Sequence, residues 1–163
     1  MADEMTQAES AERIWDAAGK LHTAMLVTRS GDALISRPMA AMVKSDEGLI
    51  YFLTDKTSGK LEDIAEHPGV SVSFSDGSDY IAFTGKATVH DDRALIKRLW
   101  STGAQAYYPN GPDDPLVIAL RVQPSHAELW DGPGTVVSMV KMAAAAATGT
   151  SARDMGDHVQ ASM

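Results

Sequence analysis

Thr54, Ser58 and Lys60 fall close together where an apolar run gives way to a polar one. Leu49-Ile50-Tyr51-Phe52-Leu53 reads as a strand, Thr54 to Ser58 is entirely polar, and helical spacing resumes with Leu61, Ile64 and Ala65 before His67-Pro68. Such a handover gathers hydroxyls, unpartnered backbone N–H groups and an ammonium at one helix N-terminus, where the dipole is positive. That is chemistry for a phosphate or a similar anion. A plainer use is also open, with Thr57 or Ser58 capping the helix and Lys60 a solvated charge.

A second cation stands upstream, in Ser36-Arg37-Pro38-Met39. Period two puts Arg37 and Met39 on one strand face, with Ser36 and Pro38 on the other. The proline marks an edge or a bulge. An arginine on an apolar face needs an anionic partner, either a ligand or one of the chain's many acids. Trp130, before Asp131-Gly132, fits a core or interface position, or contact with an aromatic cofactor. The histidines (His22, His67, His90, His126 and His158) show no metal-ligand spacing, so no metal is expected. No nucleophile elbow, Walker loop or dinucleotide fingerprint is present, and no residue declares itself catalytic.

The elements that must position these groups follow from the pattern. Thr6 to Leu21 forms a helix with Ile14, Trp15, Ala18 and Leu21 on one face. Strands are expected at Thr23–Thr28, Ala33–Val43, Leu49–Leu53, Gly69–Ser75, Tyr80–His90 and Leu116–Val122, the last interrupted at Gln123-Pro124-Ser125 and resuming from His126 to Trp130. Helices are expected near Ser58–Glu66, from Asp91 to about Ser101, and at Val136–Thr148. Tyr107 to Pro115 reads as loop, Asp131 to Gly134 as a tight turn, and the polar end from Gly149 as frayed. Strands joined by hairpins, without helical crossovers, favour an antiparallel sheet closed into a small barrel.

The chain has 163 residues, enough for one domain, and carries a net charge of −8. That charge argues against nucleic acid or an anionic membrane surface as partner. There is no cysteine, hence no disulfide. The acidic beginning MADEMTQAESAE lacks a signal-peptide pattern and no apolar run reaches membrane-spanning length, so the expected location is cytoplasmic.

Taken in order, the motifs resemble a known family. Arg37 mid-strand and the turn glycine Gly48 are followed by F-x-T-x-x-x-S-x-K (Phe52, Thr54, Ser58, Lys60) and P-x-V (Pro68, Val70). T-G-K-A (Thr84 to Ala87) and E-x-W-x-G (Glu128, Trp130, Gly132) come later. This order is similar to that of the pyridoxamine 5′-phosphate oxidase-like proteins with an FMN-binding split barrel, most of all their bacterial general stress protein branch. The resemblance implies a mainly β (α+β) fold, a six-stranded antiparallel split β-barrel over residues 1–145, with a polar tail at 146–163. It implies a homodimer with FMN at the interface. Arg37, Ser58 and Lys60 would hold the phosphate with Thr54 near it, Ser36, Pro38 and Met39 would run along the isoalloxazine and ribityl, and Trp130 would approach the flavin.

The resemblance also implies a flavin-dependent oxidoreductase of unknown small-molecule substrate. A non-catalytic flavin store or sensor, and deazaflavin or FAD in place of FMN, are the alternatives; a barrel that binds macromolecules without any cofactor is the contrasting class. The true oxidases place a basic residue where this chain has Met42, a glutamine where it has Tyr80, and an R-x-H segment where it reads Thr135-Val136-Val137-Ser138. The site for the vitamin substrate is therefore expected to be missing.

Overall fold

The structure, a computed structural model, describes residues 5–133, 135–149 and 157–163. Its first helix, α1 (Gln7–Ala18), opens with a capping box. The Thr6 hydroxyl accepts from the Glu9 backbone N–H at 3.2 Å, and the Glu9 carboxylate accepts from the Thr6 N–H at 2.8 Å. One face of α1 buries Ile14, Trp15 and Ala18, and the Trp15 ring lies 4.9 Å from that of Phe83 on the sheet.

The strands are β1 (Thr23–Ser30), β2 (Ala33–Ala40), β3 (Met42–Lys44), β4 (Leu49–Asp55), β5 (Gly69–Ser75), β6 (Asp79–His90), β7 (Val117–Asp131) and β8 (Asp157–Ser162). They form one antiparallel sheet in the order β2-β1-β5-β6-β7-β4-β3, with β8 also paired to β7. The β1–β2 hairpin turns at Gly31, whose φ of 57° suits glycine. Strand β7 serves both halves of the curled sheet: its first part pairs with β4 and its last part with β8, while β6 lies along almost all of it. The halves join at a bulge where Thr84 faces His126 and Gly85 faces Pro124, leaving Ser125 extra. Gly85 must be glycine here, because a Cβ would collide with the Gln123 carbonyl oxygen.

Inside the curl, Leu26, Phe52, Val72, Phe83, Leu120 and Leu129 make the main core with α1 and α2 (Lys60–Glu66). On the opposite face of β4 and β7, α3 (Arg93–Leu99) covers a second cluster around Tyr51, Ile96, Leu99, Val117 and Ala119, and α4 (Thr102–Tyr107) follows it. Helix α5 (Thr135–Thr148) leaves Val137, Met139, Val140 and Met142 exposed.

The antiparallel, barrel-like sheet matches the expectation, but its strand count differs: eight strands among the described residues, not six. The stretch Ala33–Val43 is broken at Ala41, whose side chain is buried and whose N–H donates to the His22 carbonyl at 2.9 Å. Thus β2 stays with β1 while β3 crosses to β4. The second extra strand is β8, in the segment expected to fray. Its alternation buries Val159 and Ala161 against β7. Helix α4, capped by the Ser101 hydroxyl, also went unforeseen. Of the expected features, the beginning 1–4, Gly134 of the tight turn and 150–156 of the tail lie outside the described residues. No helix among the described residues is long and apolar enough to cross a membrane.

Candidate functional site

Arg37 sits in β2 opposite Leu26 of β1, on the inward side, where Thr28 is also buried. Its Nη1 donates to the Thr28 hydroxyl at 3.0 Å. Lys60 opens α2 and folds back toward the end of β4. Its Nζ donates to the hydroxyls of Thr54 at 2.7 Å and Ser58 at 2.5 Å. Thr54 is itself buried, so β4 fixes one anchor of the ammonium rigidly.

The polar stretch before α2 is organised by Asp55. Its carboxylate accepts from the Thr57 N–H at 2.7 Å and the Thr57 hydroxyl at 2.5 Å, while the Ser58 N–H donates to the Asp55 carbonyl at 3.1 Å. Thr57 is thereby committed to the loop. The residue before α2 is Gly59, and no side chain among the described residues caps the helix. The plain capping role open to Thr57 and Ser58 is not the one they take.

Arg37, Ser58, Gly59 and Lys60 line one open groove of about 550 Å³, together with Ser30, Ile35, Glu62 and Asp63. Among the described residues neither cation pairs with a carboxylate; both are held by hydroxyls. Burial of the ammonium, and then repulsion from Arg37, push the Lys60 pKa below its ordinary value, with Asp55 opposing. Two cations that repel each other in a groove are poised for an anion. Glu62 and Asp63 stand on the same rim at the favourable end of α2 and bound the space an anion can occupy.

The remaining predicted residues fall elsewhere. Met39 shares the inward face with Arg37 and packs against the main core. Ser36 and Pro38 point outward and are exposed. Trp130 lies on that outward face too, but on β7, with β1, β5 and β6 between it and β2. Its ring stacks on His158 at 4.9 Å and 6°, and Tyr80 lies across the ladder from it. A single chain therefore unites Arg37, Thr54, Ser58 and Lys60 and keeps Trp130 apart from them.

One participant, Thr28, escaped the sequence reading; it was legible only as a hydroxyl in the inward phase of Ala24, Leu26 and Thr28. Glu128, noted above only as part of the E-x-W-x-G motif, lies within hydrogen-bond distance of His126 at 3.1 Å and His158 at 3.0 Å. Those two contacts lower its pKa. Met42, at the position expected to lack a substrate cation, packs against the second cluster.

The family model described as "Pyridoxamine 5'-phosphate oxidase like" matches residues 9–153. General stress protein 26 of Bacillus subtilis (strain 168) is 29% identical over 96 residues, covering 55% of this chain and 68% of that protein. Among solved structures, a candidate general stress protein 26 from Jannaschia sp. CCS1 superposes with a TM-score of 0.76 at 25% identity. It covers 97% of this chain and 100% of its own. The general stress FMN/FAD binding protein from Xanthomonas citri gives a TM-score of 0.69 at 27% identity, over 78% of this chain and 92% of its own.

Proposed function

Because the chain belongs to the pyridoxamine 5′-phosphate oxidase-like family, we propose that it is an FMN-binding general stress protein and a flavin-dependent oxidoreductase. The observation that carries this reading is the Arg37–Lys60 groove, two cations held by hydroxyls and, among the described residues, by no acid. A phosphate monoester is close to a dianion at neutral pH. Arg37 and Lys60 would neutralise it, with Ser58 and Thr54 holding the ammonium on station. Charge-assisted bonds of this kind contribute about 1.5–3 kcal/mol each. Similarity to a solved general stress FMN/FAD binding protein supports a flavin as the phosphate's owner. A bound flavin supplies the electron chemistry, while the chain supplies binding, orientation and the local field.

The same reading includes a homodimer with flavin at the interface. Exposed Met25, Leu34, Tyr80 and Trp130 share the outward sheet face with Ser36 and Pro38. An exposed apolar face of this kind suits a second copy of the chain. Docking there accounts for the separation of Trp130 from Arg37 within one chain, since the partner's tryptophan is then the one that approaches the ring. Pyridoxamine phosphate oxidation is not the activity we assign: Met42 is committed to apolar packing where a substrate cation would be needed. That observation also favours a second reading, a flavin store or sensor without turnover.

The test is a visible absorption spectrum of the purified protein and a titration with FMN, repeated for Arg37→Ala. A yellow protein, or saturable binding that the substitution weakens, is expected. A colourless protein that leaves FMN fluorescence unchanged overturns the proposal. Catalytic oxidation of a reduced nicotinamide or deazaflavin separates the oxidoreductase from the store.

A further inference from the structure

A second arginine without an ion pair among the described residues lies outside this groove. Arg121 of β7 faces Tyr51 of β4 on one side and Thr88 of β6 on the other. Among the described residues its Nε is the buried side-chain nitrogen or oxygen without a hydrogen-bond partner. Such groups are rare and call for an explanation, because a desolvated N–H of a cation is costly to leave unmade. The bulge at Ser125 explains how the arginine comes to be there. On one side of it His126, Glu128 and Trp130 point outward; on the other the phase reverses, and Arg121 and Gln123 take the outward positions.

The acids of the neighbourhood are already engaged. Glu47 accepts from the Tyr51 hydroxyl at 2.7 Å and is ion-paired with Arg98, whose guanidinium lies 5.6 Å from the centre of the Tyr51 ring. Asp91 is held by Lys56 and Arg93, each at 2.7 Å. Asp92 caps α3, accepting from the N–H groups of Ala94 at 2.9 Å and Leu95 at 3.3 Å. What surrounds Arg121 instead is a donor set. The Thr88 hydroxyl lies 2.7 Å from His90 Nε2, and Lys86, exposed and without an ion pair among the described residues, takes the next outward position along β6. Burial and then Arg121 lower the His90 pKa, and Asp92 opposes them.

We propose that Arg121, Thr88, His90 and Lys86 form a binding site for a phosphate-sized oxyanion, independent of the Arg37–Lys60 groove. The guanidinium gives the anion a fork of parallel donors, which a lysine in its place would not. Lys86 and a protonated His90 complete the charge balance; the Thr88 hydroxyl then accepts from the His90 Nε2–H and donates its own proton to the anion. The anion is the free ion or the head of a monoester; the chemistry of recognition is the same.

The experiment is a titration of the full chain with inorganic phosphate at constant ionic strength, watched through the NMR signals of the five imidazoles. In parallel, methyl phosphate replaces phosphate, and sodium chloride alone serves as the screening control. The His90 signal is expected to move saturably and its titration midpoint to rise, with Arg121→Gln weakening binding about tenfold or more. Lys86→Ala, an exposed position that spares the fold, is expected to weaken it severalfold, and Arg37→Ala to leave it unchanged. A response to both phosphates assigns an ester-tolerant site, and a response to the inorganic ion alone assigns the free anion; both support the proposal. An unmoved His90, a response equalled by chloride, a folded Arg121→Gln or Lys86→Ala that binds as the parent does, or a response lost in Arg37→Ala would overturn it.

Discussion

Two groups of cations in this molecule have opposite surroundings. Arg13 of α1 meets Asp131 at the end of β7 at 2.7 Å and Asp157 at the start of β8 at 3.1 Å, and these two contacts hold its pKa above the ordinary value. Arg93 donates to Asp91 and to the carbonyls of Pro112, Asp114 and Val117, tying α3 to the loop before β7. These cations are structural, and each bridges segments distant in sequence. Arg37 and Lys60 also bridge elements, β2 to β1 and α2 to β4, but among the described residues through hydroxyls alone. In a chain with 22 acids against 14 lysines and arginines, an arginine without a carboxylate is the less expected outcome. A hydroxyl orients a cation without cancelling its charge, so the first group has spent its electrostatics on the fold while the second retains it for a ligand.

The sharpest way to break that contrast is to remove both groove cations. Arg37→Ala with Lys60→Ala is expected to cost flavin binding about 3–6 kcal/mol, two charge-assisted contacts at about 1.5–3 kcal/mol each. Stability without ligand should be nearly unchanged or raised, since a mutual repulsion is relieved. Fluorescence titration and urea unfolding measure the two effects; loss of stability with retained binding would place these cations in the structural group. Arg13→Ala should do the reverse, with flavin affinity intact and about 1 kcal/mol of stability lost, the scale of a partly exposed ion-pair network. Because Asp131 and Asp157 face each other across the β7–β8 ladder, hydrogen exchange should quicken first in β8. A smaller effect is expected from Thr28→Val, which keeps the shape of a buried side chain but removes the acceptor that steers Arg37. Flavin affinity should fall by about 0.5–1.5 kcal/mol with little change in unfolding, as for loss of one ordinary hydrogen bond.

How much of this was legible beforehand depended on whether the signal was local. Leu49 to Leu53 declared a strand and Leu61, Ile64 and Ala65 a helix, so Thr54, Ser58 and Lys60 could be placed at the junction. The alternation in Gly69–Ser75 fixed β5 directly, with Val70, Val72 and Phe74 buried. Non-local facts were not legible. The break at Ala41 depends on the carbonyl of His22, and the strand character of Asp157–Ser162 on an edge of β7 that no short window reveals. Thr28 and Arg121 failed for the same reason. A threonine amid inward apolar residues, and an arginine beyond a bulge, acquire meaning only from the strands that pair beside them.

Proton linkage supplies the subtlest test, because it distinguishes a repelled cation from a paired one without removing either. In the folded chain the Lys60 pKa lies below its ordinary 10.5, from burial first and Arg37 second. At pH values below the folded pKa the ammonium is present in both states, and the folded state bears the full penalty. As pH rises through the folded pKa toward the unfolded one, the folded chain gives up its proton first, so Lys60 contributes rising stability in that window. A paired cation such as Arg13 has the opposite sign of shift and contributes no such rise. Urea unfolding between about pH 8 and 10, compared with Lys60→Met to subtract every other titrating group, isolates the contribution. The difference between the two proteins should narrow as pH increases in the absence of ligand. A bound dianion should hold the ammonium protonated and flatten or invert that trend. If the ligand-free difference instead widens with pH, Lys60 is stabilised as a cation by the protein alone, and the groove belongs with the clasp at Arg13.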